Sequence, residues 1–560
     1  MIRKKIPRAS NPWTWVPTLY LYEGIPYSIV MTTSTLIYTT MGISVAKLAF
    51  WTSLLYLPWT IKPLWSPYVE VKSTKRNWVI IMQIILGLAF ILSGMMMPLS
   101  FFFPATIVVF ALVAISSASH DIAADGFYMQ ALDKHNQTFF VGIRSTFYRI
   151  ATLASVGLLP LMAGFIQEKT GPEPVILNVT SAKTSEIKPV AVYDPSKARP
   201  SDRPEIVVYP GEIMVPLYEK EFQETDSAVA YISLSSKPAP GEKIVVNITK
   251  KSGSKNLSLS KKQGNRFEFT NENWNTPLPL TFKVDHNLKT KTSAVFKVTA
   301  GNTAFSWMFA LGIMGIFLLL LGVYHKFMLP QPAEETKPDH INLKVYSEVF
   351  VSFFRKPEII PALLFFLFYR LGESQLVKVA TPFLVDSRTN GGIGLTSAQY
   401  GIAYGTIGIL SLTIGGILGG IAAARYGLKK LFWWMAAFMN VPNLGYLLLS
   451  YIQPLPGDSS IYLAIALEQF GYGFGFTAYM LFMLFFVGDS RYKTAEYAIG
   501  TSLMALGMML PGMISGLIQE WLGYQQFFIY VMICTLPGMA VIPFLKIDPE
   551  FGIKKLKMKK

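Results

Sequence analysis

One cysteine, Cys534, occurs in 560 residues, so no intrachain disulfide can form and cysteine usage says nothing of the redox compartment. Histidine is scarce too: the five residues are scattered and make no His-Glu-x-x-His helix. No Gly-x-Ser-x-Gly elbow and no Gly-x-x-x-x-Gly-Lys-Ser/Thr loop is present. These absences leave metalloprotease, serine-hydrolase and nucleotide-binding chemistry without residues, and we expect neither an enzyme nor a cofactor or metal. Charge is also thin, at 15% of residues against 51% hydrophobic, a balance that a typical soluble protein does not show. The net charge of +16 does not imply nucleic acid. Its Lys and Arg residues fall largely in short links on one side of the apolar runs and at both termini, the distribution of a multi-pass membrane protein. The basic start, Met1 to Ser10, lacks a small-residue cleavage site after a short apolar core, so the first run is expected to stay as an anchor.

Long apolar runs are what the chain has in plenty. They fall at about 15–40, 46–66, 77–98, 103–132, 138–168 and 303–328, then at about 358–386, 396–424, 430–452, 460–488, 492–518 and 524–546. Six, an interruption and six predict an all-α membrane protein of twelve transmembrane helices in two six-helix halves. Links carrying Lys72, Lys75, Arg76, Lys134, Arg425, Lys429, Lys430, Arg491 and Lys493 alternate with links at 98–104, 452–460 and 519–525 that carry none. The alternation places both termini in the cytoplasm. The halves also echo each other: Gly164-Phe-Ile-Gln-Glu-Lys-Thr-Gly171 matches Gly516-Leu-Ile-Gln-Glu-Trp-Leu-Gly523 six spans later, the offset of a parallel duplication.

The expected divisions are an N-terminal membrane half at 1–171, an insert at 172–300, the sixth helix at 301–328, a linker at 329–357, a C-terminal half at 358–546 and a basic tail at 547–560. Within the insert, the Pro- and charge-rich stretch to Glu224 reads as loosely ordered. From about 226, alternating runs at 229–234, 243–248, 257–260, 266–270, 278–284 and 294–298 predict an antiparallel β-sandwich on the extracytoplasmic side, available to a periplasmic partner. The segment Phe267 to Asp285 resembles Calx-β-like modules. In the linker, Val345, Val349 and Phe353 share one face of an amphipathic helix over 343–354, which couples the halves or anchors to the bilayer surface.

Ionisable residues inside spans mark pathways for substrate or protons by default. Asp121, Asp125 and Tyr128 share one helix face at spacings of four and three. Rise per residue puts Glu23, Asp121 and Arg149 at one depth, which predicts a charge network among them, with Arg149 keeping the carboxylates ionised. Lys62 and Arg144 lie nearer the span ends, where long side chains reach the interface. In the second half Arg370 and Lys378, two turns apart, face one way and meet an anionic substrate or pair with Glu373 or Glu468. For Asp121 and Asp125 the alternative is a purely structural role, neutralised by basic side chains on neighbouring helices.

Several pieces resemble the AmpG-type permeases of the major facilitator superfamily: Gly24-Ile-Pro26, Lys62-Pro-Leu-Trp-Ser-Pro67, Ser117-Ala-Ser-His-Asp-Ile122 with Asp125, Tyr148-Arg149, and Tyr369-Arg-Leu-Gly-Glu373. The likeness covers both membrane halves and omits 172–300. It implies the major facilitator fold and proton-coupled import of an anionic anhydro-muropeptide across a bacterial inner membrane. Asp121, Asp125, Glu23 and Arg149 would then couple protons, and His120, Tyr128, Tyr148, Arg370, Glu373, Lys378, Glu468 and Gln469 would meet substrate. Departures at His120, Glu70, Tyr128 and Lys378 leave the cargo open, and acetyl-coenzyme A transporter relatives supply a second anionic class. A receptor that binds a partner through the sandwich without transport is the reading from another class.

Overall fold

The computed structural model describes residues 11–132, 134–187, 204–217, 227–238, 243–260, 265–285, 288, 290–331, 343–488, 493–549 and 551. Both basic termini and most of the 330–339 link lie outside these. Among the described residues nine helices are long and apolar enough to cross a membrane, where the sequence predicts twelve spans. The difference has local causes. The first run is interrupted: α1 (Val16–Ser28) contains Pro26 and passes through a π-helical turn, Ile29–Thr33, into α2 (Ser34–Thr40). The second run divides into α3 (Val45–Leu54) and α4 (Leu57–Lys72), with Pro58 in the first turn of α4, where its missing N–H is harmless. The last two runs form α18 (Lys493–Val541), which reverses at Gly523 with φ 74°, a conformation that favours glycine.

The first half continues with α5 (Lys75–Met96), α6 (Phe102–Ala131), α7 (Lys134–Leu153), α8 (Leu159–Thr170) and, after the insert, α9 (Thr303–Met328). The second comprises α11 (Ile359–Phe368), α12 (Leu371–Val385), the single turn α13 (Ser397–Tyr400), α14 (Ile409–Tyr426), α15 (Leu428–Asn440), α16 (Leu444–Ile452), α17 (Ser459–Val487) and α18. The internal echo has a packing meaning. Gly164 lies against Ala398 of the second half, and Gly516 lies against Val45 of the first. Each glycine lets one half's backbone approach the other's at equivalent places. Gly157 and Gly405 touch backbone to backbone between them, so a side chain on either would push the halves apart.

The insert is a two-sheet sandwich of β1 (Val175–Ala182), β2 (Ile206–Tyr209), β3 (Glu212–Pro216), β4 (Ser227–Leu234), β5 (Ile244–Gly253), β6 (Leu257–Leu259), β7 (Arg266–Phe269), β8 (Leu278–Val284) and β9 (Ser293–Asn302). One sheet has the order β3-β1-β9-β5-β7 and the other β2-β4-β8-β6. All pairs are antiparallel except β1 with β3. The six runs expected to be strands are strands. The expectation of a loosely ordered lead-in to Glu224 is corrected: β1, β2 and β3 lie inside it, and β1 is an inner strand whose Leu177 and Val179 are buried in the sandwich core. That alternation is outvoted in composition by the proline and charge around it. The sandwich is joined to the bundle without slack, because β9 runs straight into α9 and Asn302 caps the helix by accepting a hydrogen bond from Phe305 N at 3.0 Å.

The linker helix α10 (Leu343–Phe354) forms where the periodicity puts it, with Val349 and Phe353 buried. It fastens to the second half. Ser352 Oγ donates to Glu496 Oε1 at 2.8 Å, and Lys356 Nζ pairs with Glu496 Oε2 at 2.6 Å while donating to the terminal carbonyls Phe486 O and Val487 O of α17.

Candidate functional site

A cavity of about 500 Å³ lies between the two halves. The first half gives it Glu23 and Tyr27 from α1, Tyr56 beside α4, Trp59 and Lys62 from α4, Asp121 from α6 and Tyr148 from α7. The second half gives Arg370, Glu373 from α12, Tyr404, Gln469, Tyr472 and Phe476 from α17, and Met504 and Met508 from α18. Charged groups of both signs thus stand among aromatic faces, the composition of a pocket for a polar, partly apolar ligand. Of the residues proposed from sequence, Glu23, Asp121, Tyr148, Arg370, Glu373 and Gln469 line it. Asp125, Arg149, His120, Tyr128, Lys378 and Glu468 do not.

The charge network differs from the expected one. Asp121 Oδ2 pairs with Lys62 Nζ at 2.6 Å, and the Glu23 carboxyl, itself buried, adjoins that of Asp121. Asp125 Oδ1 pairs with Arg144 Nη2 at 2.7 Å and accepts from Tyr20 Oη at 3.0 Å. The Arg144 guanidinium sits over the rings of Tyr20 and Tyr128, at 4.3 Å and 5.2 Å from their centroids. The cation of the network is therefore Lys62, and Arg149 is not part of it. Arg149 points instead toward Gly416 of α14 in the other half. The reason is azimuth: residues five apart on α7 are rotated by about 140°, so when Arg144 meets Asp125 its neighbour Arg149 faces elsewhere. Depth along a span is legible from residue number, whereas the face presented is not. The placing of Lys62 and Arg144 at the interface is corrected for the same reason.

His120 is turned from the cavity. It precedes Asp121 by one residue, about 100° around the helix, and joins a buried polar chain with α5, α9 and α1. Gln83 Nε2 lies 3.1 Å from His120 Nε2, Gln83 Oε1 lies 3.0 Å from His325 Nδ1, and His325 Nε2 lies 2.9 Å from Thr18 Oγ1. This chain links four helices of the first half and does not line the cavity.

In the second half Arg370 and Lys378 do not share a face, because the helix breaks at Arg370 (φ −105°, ψ 18°) between α11 and α12. Arg370 Nη2 donates to Tyr472 Oη at 2.6 Å, and its guanidinium lies 4.9 Å from the Phe476 ring centroid. Lys378, 1% exposed, reaches across to the first half, donating to Thr52 Oγ1 at 3.0 Å and standing 5.2 Å over the Tyr56 ring. Gln469 Nε2 bridges Glu468 Oε2 at 2.9 Å and Tyr404 Oη at 3.0 Å, which keeps Glu468 behind the wall. Sequence reasoning missed Tyr27, Tyr56, Trp59, Tyr404, Tyr472 and Phe476. Aromatics are so common in the apolar runs that nothing but the fold could single these out.

The architecture defines the class: a two-half helical bundle with a shared central cavity, the fold of the major facilitator superfamily. Solved structures agree. The nucleoside transporter NupG matches with a TM-score of 0.56 at 10% identity, over 95% of this chain and 100% of its own, and a D-xylose-proton symporter matches at 0.55 and 12%, over 95% and 97%. In sequence, a family model described as the BT1 family matches residues 24–193. "Putative transporter AmpG 2" of Rickettsia prowazekii is 27% identical over 200 residues, 36% of this chain and 47% of that protein. The anhydromuropeptide permease of Escherichia coli is 25% identical over 183 residues, 32% of this chain and 35% of that protein. The matched stretch thus spans under half of these relatives. The likeness to AmpG-type permeases that the sequence motifs carry holds in sequence over that stretch, and the solved structures agree in fold.

Proposed function

We propose that this chain is a proton-coupled secondary transporter that imports an anionic, cell-wall-derived glycopeptide of the anhydro-muropeptide type across a bacterial inner membrane by alternating access. The cavity supports this reading more than any other feature, since both halves contribute to it and rocking one against the other exposes it to either side in turn. Arg370 and Lys62 are its cations, and a planar guanidinium held beside the Tyr472 and Phe476 rings suits a carboxylate. The aromatic lining suits the apolar faces of sugar rings. On the positive-inside argument both termini are cytoplasmic and the sandwich is periplasmic. The relatives' names point the same way. Purified protein in liposomes, given radiolabelled anhydro-muropeptide and an inward proton gradient, is expected to accumulate label. Binding without accumulation would favour the receptor reading.

A further inference from the structure

We propose that Glu373 binds and releases a proton, a role in coupling that rests on the transporter reading. Its side chain is 1% exposed at the cavity wall, and neither carboxylate oxygen has a hydrogen-bond partner among the described residues. The groups that face it are Arg370 on its own segment, Tyr56 from the first half, Tyr404, Tyr446, and Glu468 and Tyr472 from α17. Among these, Arg370 is a cation, Glu468 is a second carboxyl group and the rest are phenols. Arg370 is engaged by Tyr472 and the Phe476 ring and makes no ion pair with Glu373 among the described residues. A buried carboxylate that accepts no hydrogen bond is costly to ionise, and Arg370 offsets only part of that cost, so this conformation favours the carboxylic acid. The proton is releasable because Glu373 stands in the first turn of α12, whose N-terminal dipole favours the anion once water arrives, and because Arg370 is one turn away. The step is a plain proton transfer: the carboxyl O–H bond breaks to water on one face of the membrane and re-forms from water on the other.

The test does not need the cargo. Infrared spectra of the full chain in liposomes across a pH series should show a component of the protonated-carboxyl C=O band that Glu373→Gln removes and Glu23→Gln leaves. An identical band in the parent and Glu373→Gln overturns the proposal. With labelled anhydro-muropeptide, Glu373→Gln should lose gradient-driven accumulation and keep counterflow exchange, and gradient-driven accumulation at the parent's level also overturns it. A parent that accumulates nothing removes the cargo reading, while the infrared result still decides Glu373.

A separate observation, at the sandwich end, carries a second proposal: the inserted sandwich latches the two halves together. Arg266 of β7 is buried, and its Nη1 donates to Val385 O at 3.0 Å while its Nη2 donates to Thr40 O at 3.4 Å. Val385 ends α12 and Thr40 ends α2, so one guanidinium joins the C-terminal carbonyls of one helix from each half. Such carbonyls lack intrahelical partners and sit at the negative end of the helix dipole, which makes a cation there a strong tie. Glu268 Oε1, at 2.9 Å from Nη2, orients the guanidinium. The tie fits one arrangement only, since parting the helix ends by a few ångström breaks at least one bond. The sandwich therefore biases the protein toward the state closed at that end, and opening requires Arg266 to let go.

Spin labels on cysteines introduced at Leu99 and Tyr451, both exposed at that end, would report the separation of the halves by pulsed electron paramagnetic resonance in full-length protein, the native Cys534 being buried. Arg266→Ala should shift the distances toward longer values, and Arg266→Lys, which cannot hold two carbonyls as a fork, should shift them less. Circular dichroism of the variants checks that the sandwich stays folded, and Glu268→Gln, which keeps Arg266, supplies the same shift in weaker form should Arg266→Ala fail to fold. Distance distributions unchanged in the variants that fold overturn the latch.

Discussion

At the cavity and just behind its wall, the two halves of the bundle treat their charges in opposite ways. In the first half each carboxylate of α6 has a cation from a neighbouring helix, Lys62 for Asp121 and Arg144 for Asp125. In the second half, among the described residues, Glu373 has no hydrogen-bond partner, Glu468 has an amide, Lys378 has a hydroxyl and a ring, and Arg370 has a phenol and a ring. A paired charge is a fixed element of structure, because removing one partner strands the other. A buried ionisable group without a counter-charge is tolerable while it is neutral or while a ligand supplies the opposite sign. Under the proposed function, the first half would provide a fixed electrostatic frame and the second the groups whose charge state changes during a cycle.

The sharpest way to break this contrast is to remove Lys62. Lys62→Ala leaves Asp121 beside Glu23 without a cation, and breaking a buried pair costs about 3–5 kcal/mol, an upper value here because both partners are about a quarter exposed to the cavity. Thermal unfolding in detergent should show the loss, and Lys62→Ala with Asp121→Asn should recover much of it. If the two losses simply add, the pair is not a unit and the frame idea fails. Arg144→Ala should cost less, about 1 kcal/mol, since Asp125 is 43% exposed and solvent screens the stranded charge. A loss as large as that of Lys62→Ala would show that exposure does not set the order.

Arg149→Ala comes next and separates the observed network from the one read by depth alone. Because Arg149 faces α14 and not Asp121, its removal should cost the same with or without Asp121→Asn, so the double variant's loss is the sum of the singles. Coupling between the two in a double-mutant cycle would restore the network expected from sequence.

How far the chain could be read follows from which variables residue number fixes. Span positions, the doubled architecture and six strands follow from run length and alternation, and the face shared by Asp121 and Asp125 follows from a spacing of four. The partners of those carboxylates do not, because they depend on how α4 and α7 are rotated about their axes, which tertiary packing decides. The two-turn argument for Arg370 and Lys378 failed at a helix break that no proline or glycine signals at Arg370 itself. β1 was hidden because eight alternating residues are a weak signal within a polar stretch, although a parallel edge strand, β3, and the return strand β9 enclose it.

The smallest expected effect belongs to Lys378. Burying an ammonium costs desolvation, and among the described residues no carboxylate pairs with it; the compensation is one hydroxyl at 3.0 Å and the face of Tyr56. Methionine has nearly the same length and volume, needs no partner and fits irregular gaps, so Lys378→Met should change stability by less than about 1.5 kcal/mol in either direction. Thr52 loses a donor but keeps its bond to Leu48 O at 2.7 Å, so no polar group is stranded. A cation of the second half would then be dispensable for folding where its counterpart Lys62 is not. A fall in stability as deep as that of Lys62→Ala would mean that Lys378 is paired in solution, and the division between a fixed half and a changeable half would have to be given up.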